Sequence, residues 1–494
     1  MSAGNDGGSR SLRTLVLLAT TRASVLLCSV FSVRISTEVL QAEGMGVMNL
    51  VLSAINLFAL VNGAVSLYFY RQLVAWDNED RLLLNMRRYA YYLGGAGMLA
   101  VMLTPIIYAS ESSPWTLISP MWMGSLLACN ILINSLAGAL LNTLNTLGWR
   151  MAFAVLSNLA CWGGVAFAWA FTSIAGTNAE IWMSGLLAAQ FLTLLLAGIT
   201  LGKGLAQRGP LGRDKQTQQT DPFSLVPVMR FAWPLLICTA LFWVQRNTFS
   251  PWLAAETDAA TLGRFSVAFA LGLLAISSFD TLYRELYGPT YYRAAANADH
   301  YVLVKAWQSY AFALFPMLII CLSLIAACGD ALLTLLTAKA FHGLGIYVLA
   351  GATAQFWISI YSTYVILASS YMDNRILILP NVAGAIATAG LLAWSPVTEP
   401  MATAALAINA GLATTALVAG WELHRRHKPA LPWRSGALAS IAALPLWVPS
   451  LVGDGLSWPT THPIAGPLIV VALASTYAMV LLYLWSRRWV RSLR

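Results

Sequence analysis

Apolar runs of about twenty residues recur along this chain from Thr14 to its C-terminal end, and each is long enough to cross a ~30 Å hydrocarbon layer as an α-helix. No other feature constrains the fold as much. We place fourteen such spans, at 14–34, 46–70, 89–109, 119–142, 151–173, 181–202, 230–252, 261–283, 306–328, 344–369, 376–394, 401–423, 435–453 and 464–486. Composition agrees: 58% of the 494 residues are hydrophobic and 10% are charged, with a mean hydropathy of +0.68. The expected fold class is all-α, a polytopic membrane protein of about 14 transmembrane helices.

The opening "MSAGNDGGSRSLR" and the apolar run after it have the charge order of a signal peptide. The run is too long for one, lacks an A-x-A-like cleavage site and carries Arg22 at its middle, so it is read as the first span. The six cysteines fall inside predicted spans and none forms a C-x-x-C pair, which argues against disulfides, zinc and iron–sulfur sites; no cofactor is expected. Topology accounts for the net charge of +9. With a cytoplasmic N-terminus, all but five of the 29 Lys and Arg fall in cytoplasmic segments, while Glu111, Glu180, Glu256, Asp258, Glu399 and Asp454 occupy outer loops. Both termini are then expected on the cytoplasmic side of an inner membrane, and nothing points to nucleic acid.

The longest polar connection, "GKGLAQRGPLGRDKQTQQTDPF" (202–223), reads as a cytoplasmic linker between two halves. The halves look alike. "VLQAEGMGVMNLVLSA" (39–54) lines up with "TDAATLGRFSVAFALG" (257–272) on Gly46 and Gly263, each at the start of a helix after a short acidic loop. Downstream, "SLYFYR" matches "TLYREL", and "YAYYLG" matches "YAFALF". The expected organisation is an N-terminal lobe over 1–202, a linker over 203–228, a C-terminal lobe over 229–424 and two accessory spans within 425–494. Each lobe would hold six helices in pseudo-symmetric order.

Residues 231–271, "FAWPLLICTALFWVQRNTFSPWLAAETDAATLGRFSVAFAL", carry a proline early in the span (Pro234), a polar pair (Arg246, Asn247) and a Gly263, Phe265, Ala268 pattern opening the next helix. In these the chain resembles polysaccharide (O-antigen-type) flippases of the multidrug/oligosaccharidyl-lipid/polysaccharide exporter superfamily, and the likeness extends over most of 14–424. Two positions depart from the family pattern: Asn247 stands where an acid is usual, and Phe265 replaces a tyrosine. The resemblance implies transport of an undecaprenyl-pyrophosphate-linked oligosaccharide by alternating access of two lobes. It also implies membrane lipids, a polysaccharide polymerase and export machinery as partners.

The five cations outside cytoplasmic segments are Arg22, Arg34, Arg246, Arg264 and Lys339. An arginine at a span centre costs ~2.5–3.5 kcal/mol on insertion scales, so it tends to face a bundle interior or water. Arg22 either bonds a neighbouring helix carbonyl or meets substrate. Arg34 either pairs with Glu38 four residues on or, with the halves aligned, stands as the counterpart of Arg246. With Gln245 and Asn247, these arginines form the candidate substrate-binding set, suited to a diphosphate. Arg264 is expected to snorkel and Lys339 to be solvated. Asp280 is expected to pair with Arg284; a coupling-cation site is the sharper alternative. Tyr283, Tyr287, Tyr291 and Tyr292 suit an interfacial belt, and the histidines show no ligand spacing.

Two other functions compete with the flippase reading. A multidrug exporter of the same superfamily would favour intramembrane carboxylates, which are scarce here. A polytopic glycosyltransferase or polysaccharide polymerase would need acids gathered in a large outer loop, and the loop around 329–343 is short with one acid, Asp330. The chain is therefore expected not to be an enzyme.

Overall fold

The computed structural model describes residues 6–79, 81–108, 114–207, 225–295, 300–371, 374–394, 398–430, 432–447 and 465–492. Most of the expected linker lies outside the described residues, as do Asp80, Glu111, Asp299 and Asp454. Among the described residues there is no strand. The chain is a polytopic all-α membrane protein: eight described helical stretches are long and apolar enough to cross a bilayer by themselves. Large apolar side chains point outward from them, among them Met121, Ile174, Ile386 and Leu406, as a hydrocarbon surround requires.

The chain divides into two compact units, Met1–Thr239 and Ala240–Arg494. The first begins with α1 (Asp6–Asn78), a helical run broken at Gln41, whose φ of 55° and ψ of −170° leave the helical region. The sequence predicts a loop over roughly 35–45 here, but the helix continues to the break. Ser36, Thr37 and Gln41 donate side-chain hydrogen bonds back to the carbonyls of Val33, Arg34 and Glu38, and the last of these is an acceptor that the helix end leaves open. After α2 (Leu82–Ile107) come α3 (Pro120–Cys129) and α4 (Ser135–Thr146), joined by one π-helical turn, Asn130–Asn134. Helices α5 (Arg150–Ala175) and α6 (Ala179–Gln207) pack along each other.

The core of this unit is aromatic: Phe69 stacks on Tyr89 at 4.5 Å and meets the edge of Trp76 at 5.5 Å. A buried polar cluster stands beside it. Asn62 donates to Ser135 Oγ and accepts from Tyr89 OH at 3.0 Å, and Ser66 Oγ lies 2.8 Å from the same phenol. This ties the second limb of α1 to α2 and α4, since each polar group left alone in hydrocarbon would cost several kcal/mol.

Helix α7 (Leu225–Asn247) runs across the unit boundary, and α8 (Phe249–Glu256) follows it. The rest of the second unit is α9 (Ala259–Ala295), α10 (His300–Leu336), α11 (Gly345–Ser370), α12 (Ile378–Trp394), α13 (Pro400–His427), α14 (Trp433–Ala443) and α15 (Ala465–Ser492). Two α9–α11 positions admit no side chain: a Cβ on Gly272 would strike the Val348 carbonyl, and one on Gly351 the Phe269 carbonyl. Close helix approach through small residues is how membrane bundles gain packing without hydrophobic drive. Phe265, where a tyrosine was expected from the resemblance, is fully buried among Phe249, Phe269 and Tyr347, at 5.3–5.5 Å. Helices α14 and α15 lodge against α10, with Trp447 Nε1 donating to Ser323 Oγ at 2.8 Å.

Candidate functional site

The end of α7 presents Gln245, Arg246 and Asn247 in succession. Gln245 is fully buried within the second unit. Its Nε2 donates to the Asn381 carbonyl at 3.2 Å, and its Oε1 accepts from Thr415 Oγ1 at 2.8 Å. Asn381 Nδ2 in turn donates to Tyr361 OH at 2.6 Å and to the Leu377 carbonyl at 2.7 Å. Two amides, Gln245 and Asn381, thereby join α7 to α11, α12 and α13. Space for it comes from two glycines where α12 crosses α13. A Cβ on Gly384 would collide with Thr415 Oγ1 and lie 2.8 Å from Gln245 Oε1, and one on Gly411 would collide with Thr388 Oγ1.

Arg246 sits one helical step round and is half-buried. Its guanidinium lies over the Phe242 ring at 5.6 Å, and Phe242 stacks on Tyr361 at 6.1 Å. The phenol that accepts from Asn381 therefore also braces the ring beneath the arginine. No carboxylate of the second unit pairs with Arg246 among the described residues. A guanidinium over an aromatic ring is attracted by the ring's face while its N–H donors remain free to bond elsewhere.

The other candidates are placed differently. Arg22 and Arg34 lie in the first limb of α1, in the other unit, about 18 Å apart along the axis and roughly a third of a turn apart around it. Arg22 is exposed; Arg34 pairs with Glu38, both partly exposed. Asp280 is buried and receives a hydrogen bond from Arg284 Nε at 3.0 Å, so the salt-bridge alternative is the one seen. Glu422, also buried, has Arg426 Nε at 3.6 Å one turn on. Among the described residues no three His, Cys, Asp or Glu gather in a metal-binding group.

Two clusters escaped the sequence reading. Tyr361, Asn381 and Thr415 gave no local signal because they sit singly in apolar helices. His300 and His427, which showed no ligand spacing, meet at Tyr371: its ring stacks on His427 at 4.0 Å and its hydroxyl lies 2.7 Å from His300 Nδ1. This joins the start of α10 to the ends of α11 and α13.

No protein-family model matches the sequence, and no curated protein does. Solved structures match along nearly the whole length. The lipid II flippase MurJ, in an inward closed conformation, superposes with a TM-score of 0.62 at 12% identity, covering 98% of this chain and 99% of that one. A eukaryotic MATE transporter superposes with a TM-score of 0.50 at 12% identity, covering 89% of this chain and 100% of that one. The chain thus has the fold of this flippase and this transporter.

Proposed function

We propose that the protein translocates a lipid-linked oligosaccharide, an undecaprenyl-pyrophosphate-borne repeat unit, across the cytoplasmic membrane by alternating access, in the synthesis of an exopolysaccharide, capsule or O-antigen. Arg246 is the observation that supports this most: a half-buried guanidinium at the end of a membrane helix, set on Phe242 and unmatched by any carboxylate of its own unit among the described residues. Such a group suits an anion that must leave headgroup water, and a diphosphate offers the oxygens its fork can engage. Asn247 beside it adds an amide, Gln245 positions the helix end, and Arg22 and Arg34 are further proposed substrate contacts.

Export of cationic drugs is the competing reading. It would need carboxylates open to the ligand, whereas the buried acids of the second unit, Asp280 and Glu422, each face an arginine one turn on. Purified protein in vesicles with a sugar-labelled undecaprenyl-pyrophosphate oligosaccharide separates the two. Label should become accessible at the far leaflet to an impermeant quencher only when protein is present. Movement of a fluorescent organic cation with no movement of the lipid would overturn the proposal.

A further inference from the structure

A groove of about 580 Å³ opens in the first unit, between the start of α5 and the last turns of α6, lined by Trp149, Ile199, Thr200, Lys203, Gly204 and Gln207. Its wall is built, not incidental. The turn before α5 is closed by backbone hydrogen bonds from Leu147, Gly148 and Trp149 to Thr143, Asn145 and Leu144, with Gly148 at a φ of 84° that favours glycine. This sets the Trp149 indole against α6 where Gly204 has no side chain; a Cβ there would overlap the ring. Thr200, Lys203, Gly204 and Gln207 recur at helical spacing and share one face.

The groove is graded along α6. At its deeper end is Ile199, 53% exposed, with the Thr200 hydroxyl turned back onto the Leu196 carbonyl at 2.7 Å. One turn on are the Lys203 ammonium and then the Gln207 amide, both exposed. No acid pairs with Lys203 among the described residues. The basic end of this helix is the one that the cation count assigns to the cytoplasm.

We infer that this groove binds one anionic phospholipid, its phosphate at Lys203 and Gln207 and an acyl chain along Ile199 and the indole face. Indoles favour the headgroup level and a lysine there attracts anionic lipid. An apolar lower half beside a cationic upper half fits a lipid and not a free anion. The site lies wholly in the first unit and is independent of the proposed transported substrate.

Delipidated protein in detergent, titrated with dioleoylphosphatidylglycerol and followed by native mass spectrometry, tests this. Lys203→Gln should weaken the tightest adduct about five- to tenfold, and Lys203→Arg should restore it. Gly204→Leu, which displaces the indole, should weaken it as much, with its melting temperature checked alongside. Dioleoylphosphatidylcholine should bind every variant alike, and millimolar inorganic phosphate should not compete. Unchanged phosphatidylglycerol binding by Lys203→Gln, or equal loss of phosphatidylcholine, would overturn the inference. Displacement by phosphate alone would make the groove a free-anion site and overturn it equally.

Discussion

Arg246 can be read from the sequence because a guanidinium in an apolar run is conspicuous, but how it is held cannot be. Its neighbour Gln245 finds partners 136 and 170 residues away, and no local pattern reports such a distance. The bracing chain through Asn381, Tyr361 and Phe242 makes two residue-scale predictions. Arg246→Ala should cut lipid translocation by at least about tenfold, the loss of a charge-assisted contact, with Arg246→Lys intermediate because charge survives without the planar fork. Both should insert normally, since Ala lightens the membrane cost of the span and Lys leaves it about the same; flipping per molecule of folded protein is the readout. Gly384→Ala should cost ~1–3 kcal/mol by overpacking against Thr415 and Gln245, seen as a lowered melting temperature in detergent. An unchanged value would mean that the α12–α13 crossing has slack.

At the scale of elements, the apolar runs marked helices well, because hydrocarbon leaves the backbone no alternative. Boundaries were less legible. Around Gln41 the acidic, polar composition suggested a loop, yet those short polar side chains bond back to the helix and prolong it. At the matching place in the second unit, Asp258 does the opposite and starts α9 by accepting from Thr261 N–H at 2.7 Å. The Thr261 hydroxyl, chiefly, and then this N–H hold its carboxyl below the usual carboxylate range, with Arg264 adding to it. A lowered folded-state value means the cap's contribution is complete above the ordinary aspartate range and is lost as pH falls through the lowered value. Asp258→Ala should therefore cost about 1 kcal/mol near neutral pH, with the difference from the unsubstituted protein shrinking in strong acid, while Asp258→Asn keeps most of the cap at every pH. Thermal melts in detergent across pH read it, and a loss by Asp258→Ala that did not shrink in strong acid would refute the cap.

At the scale of the whole molecule, the likeness of the two halves is legible as paired motifs in the sequence, while the two compact units divide within α7, at Thr239, past the expected linker. The proposed orientation makes a direct prediction: a cysteine introduced at Gln216 should resist an impermeant thiol reagent in intact cells and react once the cells are opened. Labelling in intact cells would reverse the orientation or change the span count. How the proposed transport would be powered bears on the joint around Gln245. Gln245, Asn381, Thr415 and Tyr361 are all uncharged, and none exchanges a proton near neutral pH. The joint is electrically silent: neither membrane voltage nor a proton gradient has a handle on it. Any dependence on a proton gradient has to enter through another part of the molecule, whereas membrane voltage can act directly on the Arg246 charge beside the joint.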